Sequence, residues 1–229
     1  CYLTNDFDNA GSGGRMVPFK DNKILLTIGV AKQVITNKKS AQNKNSFFGK
    51  IISIDIKTRD HELISMGHRN PQGLYYENDK NIILSTEHGP KGGDEININF
   101  QKGDNIPNYG WDISSYGIEY DGTDPYKKSH SEYGFIEPFK YYVPSIGISQ
   151  IVYVPKKLNL HKKNSLYVSS LRAGSIYVVK INDQFNKILD EDRIFFNKRI
   201  REIEYDKENN LFVLLFEHTP SIGILKLKK

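Results

Sequence analysis

The chain has 229 residues, 38% hydrophobic and 26% charged, a composition that supports a sizeable folded core and excludes intrinsic disorder. Its formal charge of +5 comes from lysines scattered among Asn and Ile; without a basic stripe interleaved with aromatics, it does not point to nucleic acid. No apolar run approaches the ~20 residues of a membrane span, and the one cysteine, Cys1, excludes an intrachain disulfide.

Taken in chain order, the segments show one repeated pattern. A polar turn, Lys20-Asp21-Asn22, precedes a predicted strand from Lys23 to Ile28, and a second strand runs from Gly49 to Ile56 with apolar residues at every other position. Such alternation marks strands with one buried face. The pattern returns as the turn Glu77 to Lys80, the strand Asn81 to Thr86 and the strand Gly93 to Phe100. It returns again as His161 to Asn164, Ser165 to Ser169 and Gly174 to Ile181, and closes with Asp206 to Asn209, Asn210 to Phe216 and Gly223 to Lys228. Asn and Asp suit such turns because they tolerate left-handed backbone.

The leading glycines at 49, 93 and 174 are 44 and 81 residues apart. A period of roughly 40–50 residues is the length of a four-stranded propeller blade. The longer interval is one blade plus an insertion, about Gln101 to Val143, rich in Gly, Tyr, Asp and Pro. Long ordered loops of this kind are where such folds carry their sites. The predicted class is therefore all-β, a β-propeller; a β-sandwich is the rival architecture, and the regular repeat argues against it.

Three motifs then stand out. Gly67-His68-Arg69-Asn70-Pro71-Gln72-Gly73-Leu74 is followed by Glu87-His88-Gly89-Pro90-Lys91-Gly92-Gly93-Asp94-Glu95 and by Asn108-Tyr109-Gly110-Trp111. In this order and spacing they resemble the soluble quinoprotein glucose/sorbosone dehydrogenase family, which includes the aldose sugar dehydrogenases. Further segments resemble the same family: Gly13-Gly14-Arg15-Met16, Ser40-Ala41-Gln42, Val143-Pro144-Ser145-Ile146, Val168-Ser169-Ser170-Leu171-Arg172 and Arg199-Ile200-Arg201. The resemblance implies a partial domain over residues 1–229, the C-terminal four or so blades of a six-bladed propeller, with residues expected before Cys1. It also implies a periplasmic or extracellular location, although no secretory leader is visible.

What the resemblance implies for chemistry can be set beside the residues. The family's cofactor, pyrroloquinoline quinone, is a flat ortho-quinone with three carboxylates. Arginine suits it because the guanidinium is always charged and pairs bidentately with carboxylates. By resemblance Arg69, Arg172, Arg199 and Arg201 line the cofactor, with Asn70 as a polar neighbour; Arg172 stands where the family's glucose oxidisers carry Lys. Arg199 and Arg201 are two apart on a predicted strand and so share a face. Calcium prefers many oxygen ligands, and the family holds its catalytic ion on the backbone carbonyls that fall here on Gly89 and Pro90. Glu95 and Tyr109 belong to the same candidate metal set. A second, structural calcium is expected near Tyr116, Gly117 and Glu119. The implied reaction is oxidation of an aldose, or a related alcohol, to the lactone, with an unidentified electron acceptor and no nucleic-acid partner.

The sequence departs from the family at the catalytic base. The family's His falls on Gly11, and the Asp that orients it falls on Val30, so both members are missing together. Three readings stay open: Asp6 or Asp8 serves as base, with its pKa raised by burial; the protein binds quinone or sugar without oxidising it; or another histidine substitutes. His68 and His88 lie in motifs, whereas His61, His130, His161 and His218 lack the spacing of a zinc site. A calcium-dependent lactonase is a further alternative, for which Glu87 and Asn70 are the only suggestive ligands.

Overall fold

The computed structural model describes residues 11–30, 40–101, 103, 105–155, 164–218 and 220–226. Four antiparallel sheets are built from them. The first is β1 (Gly13–Phe19), β2 (Lys23–Ile28), β3 (Lys50–Asp55) and β4 (His61–Met66), side by side in that order. The second is β5 (Pro71–Glu77), β6 (Ile82–Glu87), β7 (Asp94–Asn99) and β8 (Lys140–Tyr142), again in chain order. The third contains β9 (Ile148–Val154), β10 (Ser165–Ser170), β11 (Ser175–Ile181) and β12 (Ile188–Phe195). The fourth has three strands, β13 (Ile200–Asp206), β14 (Leu211–Phe216) and β15 (Ser221–Lys226). Among the described residues the helical segments are two 3-10 turns, Asn78–Lys80 and His130–Tyr133.

Local chemistry explains this layout. In each sheet a polar turn carries an asparagine with positive φ just before or at the start of the second strand: Asn22 at 58°, Asn81 at 51°, Asn164 at 57° and Asn210 at 53°. Asn visits this region with less strain than other non-glycine residues because its short polar side chain bonds locally. The Tyr76 hydroxyl donates to Asn81 Oδ1 at 3.0 Å, and Tyr205 repeats the contact with Asn210 at 2.7 Å. The eight predicted strand segments return as β2, β3, β6, β7, β10, β11, β14 and β15 with shifts of at most two residues at their ends, and the remaining strands lie outside the segments predicted. The segment predicted to be loop-rich, 101–143, holds only β8 and one 3-10 turn among its described residues.

The chain divides into two compact units, Cys1–Pro144 and Ser145–Lys229. In the first, the two sheets meet through a core of Phe19, Leu25, Ile51, Leu74 and Ile83. All five are strand residues that are almost fully buried. In the second unit, Tyr167 of β10 packs on Phe212 of β14 with ring centroids 4.5 Å apart, and Tyr205 lies 4.9 Å from the same ring.

Candidate cofactor site

The first unit opens a pocket at the ends of β4 to β7. It is lined by Gly67, Arg69, Glu87, His88, Gly89, Gly93, Glu95, Tyr109, Trp111, Ser114 and Ser115, which gathers all three sequence motifs in one place. The gathering is enforced by the backbone. Met66 forms a parallel bridge with Asn108, its amide donating to Pro107 O at 2.9 Å and its carbonyl accepting from the Tyr109 amide at 2.9 Å, and the Trp111 amide donates to the Gly67 carbonyl at 3.0 Å. On the other side the Lys91 amide donates to Ile118 O at 2.9 Å and Ile118 returns a bond at 3.1 Å. Gly93 has φ 72°, and a Cβ there would lie 2.4 Å from the Gly117 nitrogen, so no larger residue lets the insertion close on this turn.

Arg69 is fixed at both its backbone groups. Its amide donates to Glu87 Oε2 at 2.7 Å and its carbonyl accepts from the Val30 amide at 2.8 Å. The guanidinium lies over the Trp111 ring, 5.3 Å from its centroid, and Nη1 donates to the carbonyls of His88 (3.2 Å) and Gly89 (2.9 Å). Two backbone carbonyls of the turn thus converge on one positive group. Asn70 does not line the pocket: its Oδ1 accepts from the Gly13 amide at 3.2 Å and from Gln72 Nε2 at 2.9 Å. Instead its backbone carbonyl anchors the His88 amide at 3.1 Å.

Beneath the pocket lies a buried polar network that the sequence did not reveal. Glu87 Oε1 accepts from His68 Nδ1 at 2.9 Å and from Asn97 Nδ2 at 2.9 Å, while His68 Nε2 meets Ser65 Oγ at 2.8 Å. Both Glu87 oxygens are therefore occupied by neighbours inside the unit. Glu95 is held well above the usual carboxylate range, first by burial and then by the charge of Glu87. Its Oε1 stands 3.6 Å from His130 Nε2, beyond hydrogen-bond reach, and that nitrogen has no hydrogen-bond partner. Burial also lowers the His130 pKa, so both members of this pair are driven toward neutrality. Tyr109 turns its hydroxyl into the core, donating to Ile98 O at 3.1 Å, and its carbonyl receives His130 Nδ1 at 3.1 Å.

The other sequence candidates fall in different surroundings. Pro90 is buried beside Gly117 and does not line the pocket. Glu119, expected at a second calcium, instead accepts a short hydrogen bond from the Tyr126 hydroxyl. In the second unit Arg172 is exposed, with its backbone against Gly147. Arg199 and Arg201 do share a face, and both grip the Glu217 carboxylate: Arg199 Nε at 2.5 Å to Oε2, and Arg201 Nη2 to Oε1. Burial alone would raise the Glu217 carboxyl, but the bonds and charges of Arg201 and Arg199 hold it below its usual value. Glu217 went unnoticed in the sequence because it stands 16 residues or more from both partners.

The positions of the missing base pair are neighbours in space. A Cβ on Gly11 would lie 3.6 Å from the Val30 carbonyl, and the Val30 amide reaches Arg69. The two positions therefore lie side by side, and neither residue has a titratable side chain. Asp6, Asp8 and His161 lie outside the described residues. Among the described residues no group of three or more His, Cys, Asp or Glu side chains could hold a metal ion. Any calcium in this unit would rest chiefly on backbone carbonyls, and Glu87 and Asn70 do not present the side-chain ligand set that lactonase chemistry needs.

Comparison with known proteins identifies the family of the chain. The profile of the family described as Glucose / Sorbosone dehydrogenase matches residues 4–222. The aldose sugar dehydrogenase YliI of Escherichia coli strain K12 is 29% identical over 221 residues, covering 90% of this chain and 57% of the relative. Quinoprotein glucose dehydrogenase B of Acinetobacter calcoaceticus is 23% identical over 284 residues, covering 88% and 58%. The crystal structure of the soluble aldose sugar dehydrogenase of Escherichia coli, in its apo form, superposes with a TM-score of 0.76 at 27% identity, covering 94% of this chain and 63% of that one. The chain thus spans a little over half the length of these curated relatives, and its four sheets are blades of the β-propeller fold they share.

Proposed function

Since the chain belongs to the glucose/sorbosone dehydrogenase family, we propose that it carries the quinone- and calcium-binding side of a sugar-oxidising enzyme whose catalytic base is altered. The observation that supports this most is the turn at Gly89, where the carbonyls of His88 and Gly89 converge on the Arg69 guanidinium beside the Trp111 ring. Carbonyls aimed at a positive charge suit a hard cation, and a guanidinium over an aromatic face suits a flat, anionic ligand. A quinone with calcium supplies a two-electron acceptor for the substrate's hydride when bound.

The residues of this chain have separate tasks in that reading. Gly89 and Pro90 offer backbone oxygen to calcium, which requires Arg69 to exchange its bond to Gly89 O for the cofactor carboxylate. Arg69 pairs with a cofactor carboxylate, a role for which Glu87 and Val30 fix its backbone. Arg199 and Arg201 already clasp one carboxylate, that of Glu217, and so have the donor geometry for a carboxylate ligand. Arg172, exposed, is a further cationic candidate. No proton acceptor stands at Gly11 or Val30, so sugar oxidation requires a base elsewhere, with Asp6 and Asp8 as the candidates. A second reading, a propeller that binds quinone or sugar without turnover, is favoured by that same pair of residues. Following the family, the substrate is an aldose or related alcohol, and the location is periplasmic or extracellular.

The test uses the full protein that contains this chain. Titrating it with the quinone in calcium is expected to give saturable binding, and Arg69→Ala is expected to weaken it about tenfold, the loss of one charge-assisted pair. Reduction of an artificial electron acceptor across a panel of aldoses then separates the two readings. Turnover that requires the quinone supports the enzyme; saturable binding with no turnover supports the binding propeller. Absence of quinone binding overturns the first reading, and absence of both quinone and sugar binding overturns both.

A further inference from the structure

The segment expected to hold a second calcium already contains a cation. Lys128 Nζ donates to Ser115 O at 2.9 Å, to Gly117 O at 2.7 Å and to Asp124 Oδ1 at 2.8 Å. The bend at Tyr116 and Gly117 turns both carbonyls to one point, which is how a loop offers paired oxygens to an ion. Here an ammonium stands at that place, tethered by its own chain. It also lies 6.0 Å from the Tyr126 ring centroid, and Tyr126 holds the Glu119 carboxylate by its hydroxyl. Glu119 is thereby tied to a neutral donor, and the carbonyls a calcium would need are taken. These residues do not fit a second calcium.

The cage matters because of what its backbone touches. Gly117 sits against the Gly89–Gly93 turn so closely that a Cβ on it would lie 2.5 Å from Gly92 O and 2.9 Å from Pro90 Cδ. Ile118, the next residue, exchanges two backbone bonds with Lys91. A group that holds the carbonyls of 115 and 117 therefore also holds the wall against which the Gly89–Pro90 turn is built. We propose that Lys128 is a built-in cation that replaces a loop calcium and positions the Gly89–Pro90 turn without need of metal. It is a positioning residue, not a catalytic one, and the inference does not depend on which sugar, if any, is oxidised.

The experiment compares the full protein and its Lys128→Met variant, each in chelator and in excess calcium, by thermal unfolding followed through Trp111 fluorescence. In chelator the variant is expected to melt about 2–4 °C below the parent, the shift for roughly 1 kcal/mol in a domain of this size. Calcium is expected to restore most of that loss in the variant and to move the parent less, since removal of the ammonium leaves Ser115 O, Gly117 O and the carboxylates of Asp124 and Glu119 to the ion. A lysine with a merely structural role would not create such calcium dependence. Equal midpoints in chelator, or an equal calcium response in both proteins, overturn the proposal. Should the variant fail to fold, amine acetylation of the parent decides: Lys128 is expected to react about tenfold more slowly than exposed Lys57, with or without calcium. Faster labelling of Lys128 in calcium, which would mean the metal displaces it, overturns the proposal.

Discussion

Replacing Glu87 by alanine is expected to destabilise the first unit by about 3–5 kcal/mol, the scale of taking the acceptor from several buried donors. Three donors converge on this carboxylate: His68 Nδ1, Asn97 Nδ2 and the Arg69 amide. His68 Nδ1, fully buried, and the half-buried Arg69 amide would lose their acceptor, while Asn97 Nδ2 would keep only its longer bond to Glu95 Oε2 at 3.3 Å. Glu87→Gln keeps the shape but sets an amide NH2 against a donor on one side, and a smaller loss, about 1–3 kcal/mol, is expected. Urea unfolding read by fluorescence suits the measurement because the chain has one tryptophan, Trp111, at the pocket. A loss below about 1 kcal/mol for Glu87→Ala would mean that the network does not hold the Arg69 backbone in place. The same variant is expected to weaken quinone binding, because the Arg69 guanidinium is aimed by the backbone that Glu87 fixes.

Lys50→Met is expected to destabilise the same unit by about 3 kcal/mol, the scale of leaving several carbonyls without a donor. Lys50 is fully buried at the head of β3, and its ammonium caps the carbonyls of Ser40 (2.9 Å), Ala41 (2.9 Å) and Phe48 (2.7 Å). The loop it closes carries Gln42, which bonds Asn108 and the Trp111 carbonyl and so reaches the pocket. Burial lowers the Lys50 amine from 10.5 to about 8. Between those two values the unfolded chain holds a proton that the folded chain does not, so this group's contribution to stability rises with pH across that window. The stability gap between the parent and Lys50→Met is therefore expected to widen from about pH 8 to pH 10.5. Paired urea titrations at neutral and alkaline pH measure it, and a gap that stays flat would show that the amine is not perturbed by its burial.

The two lysines at positions 50 and 128 show where sequence reading reaches its limit. A lysine in a sequence reads as solvated surface charge, since most are exposed. Lys50 shares a strand face with Ile52 and Ile54, opposite the one by which Ile51 enters the core, so the alternation gave no reason to bury its ammonium. Lys128 carried no signal either, because the carbonyls it holds lie 13 and 11 residues away in a segment without regular structure.

The sequence by itself determined the all-β class, the strand segments, the asparagine turns, the family, and the absence of a titratable pair at Gly11 and Val30. These depend on neighbours along the chain or on residue identity, which sequence records directly. Only the tertiary structure decided that Asn70 braces β1 instead of lining the pocket, that Tyr109 turns its hydroxyl inward, and that Glu217 joins Arg199 to Arg201. It also decided that an ammonium fills the carbonyl pair where a second calcium was expected. The physical reason is the same in each case: a hydrogen bond is set by the distance and direction of two groups in space, and here the partners meet across 11 to 57 residues of intervening chain.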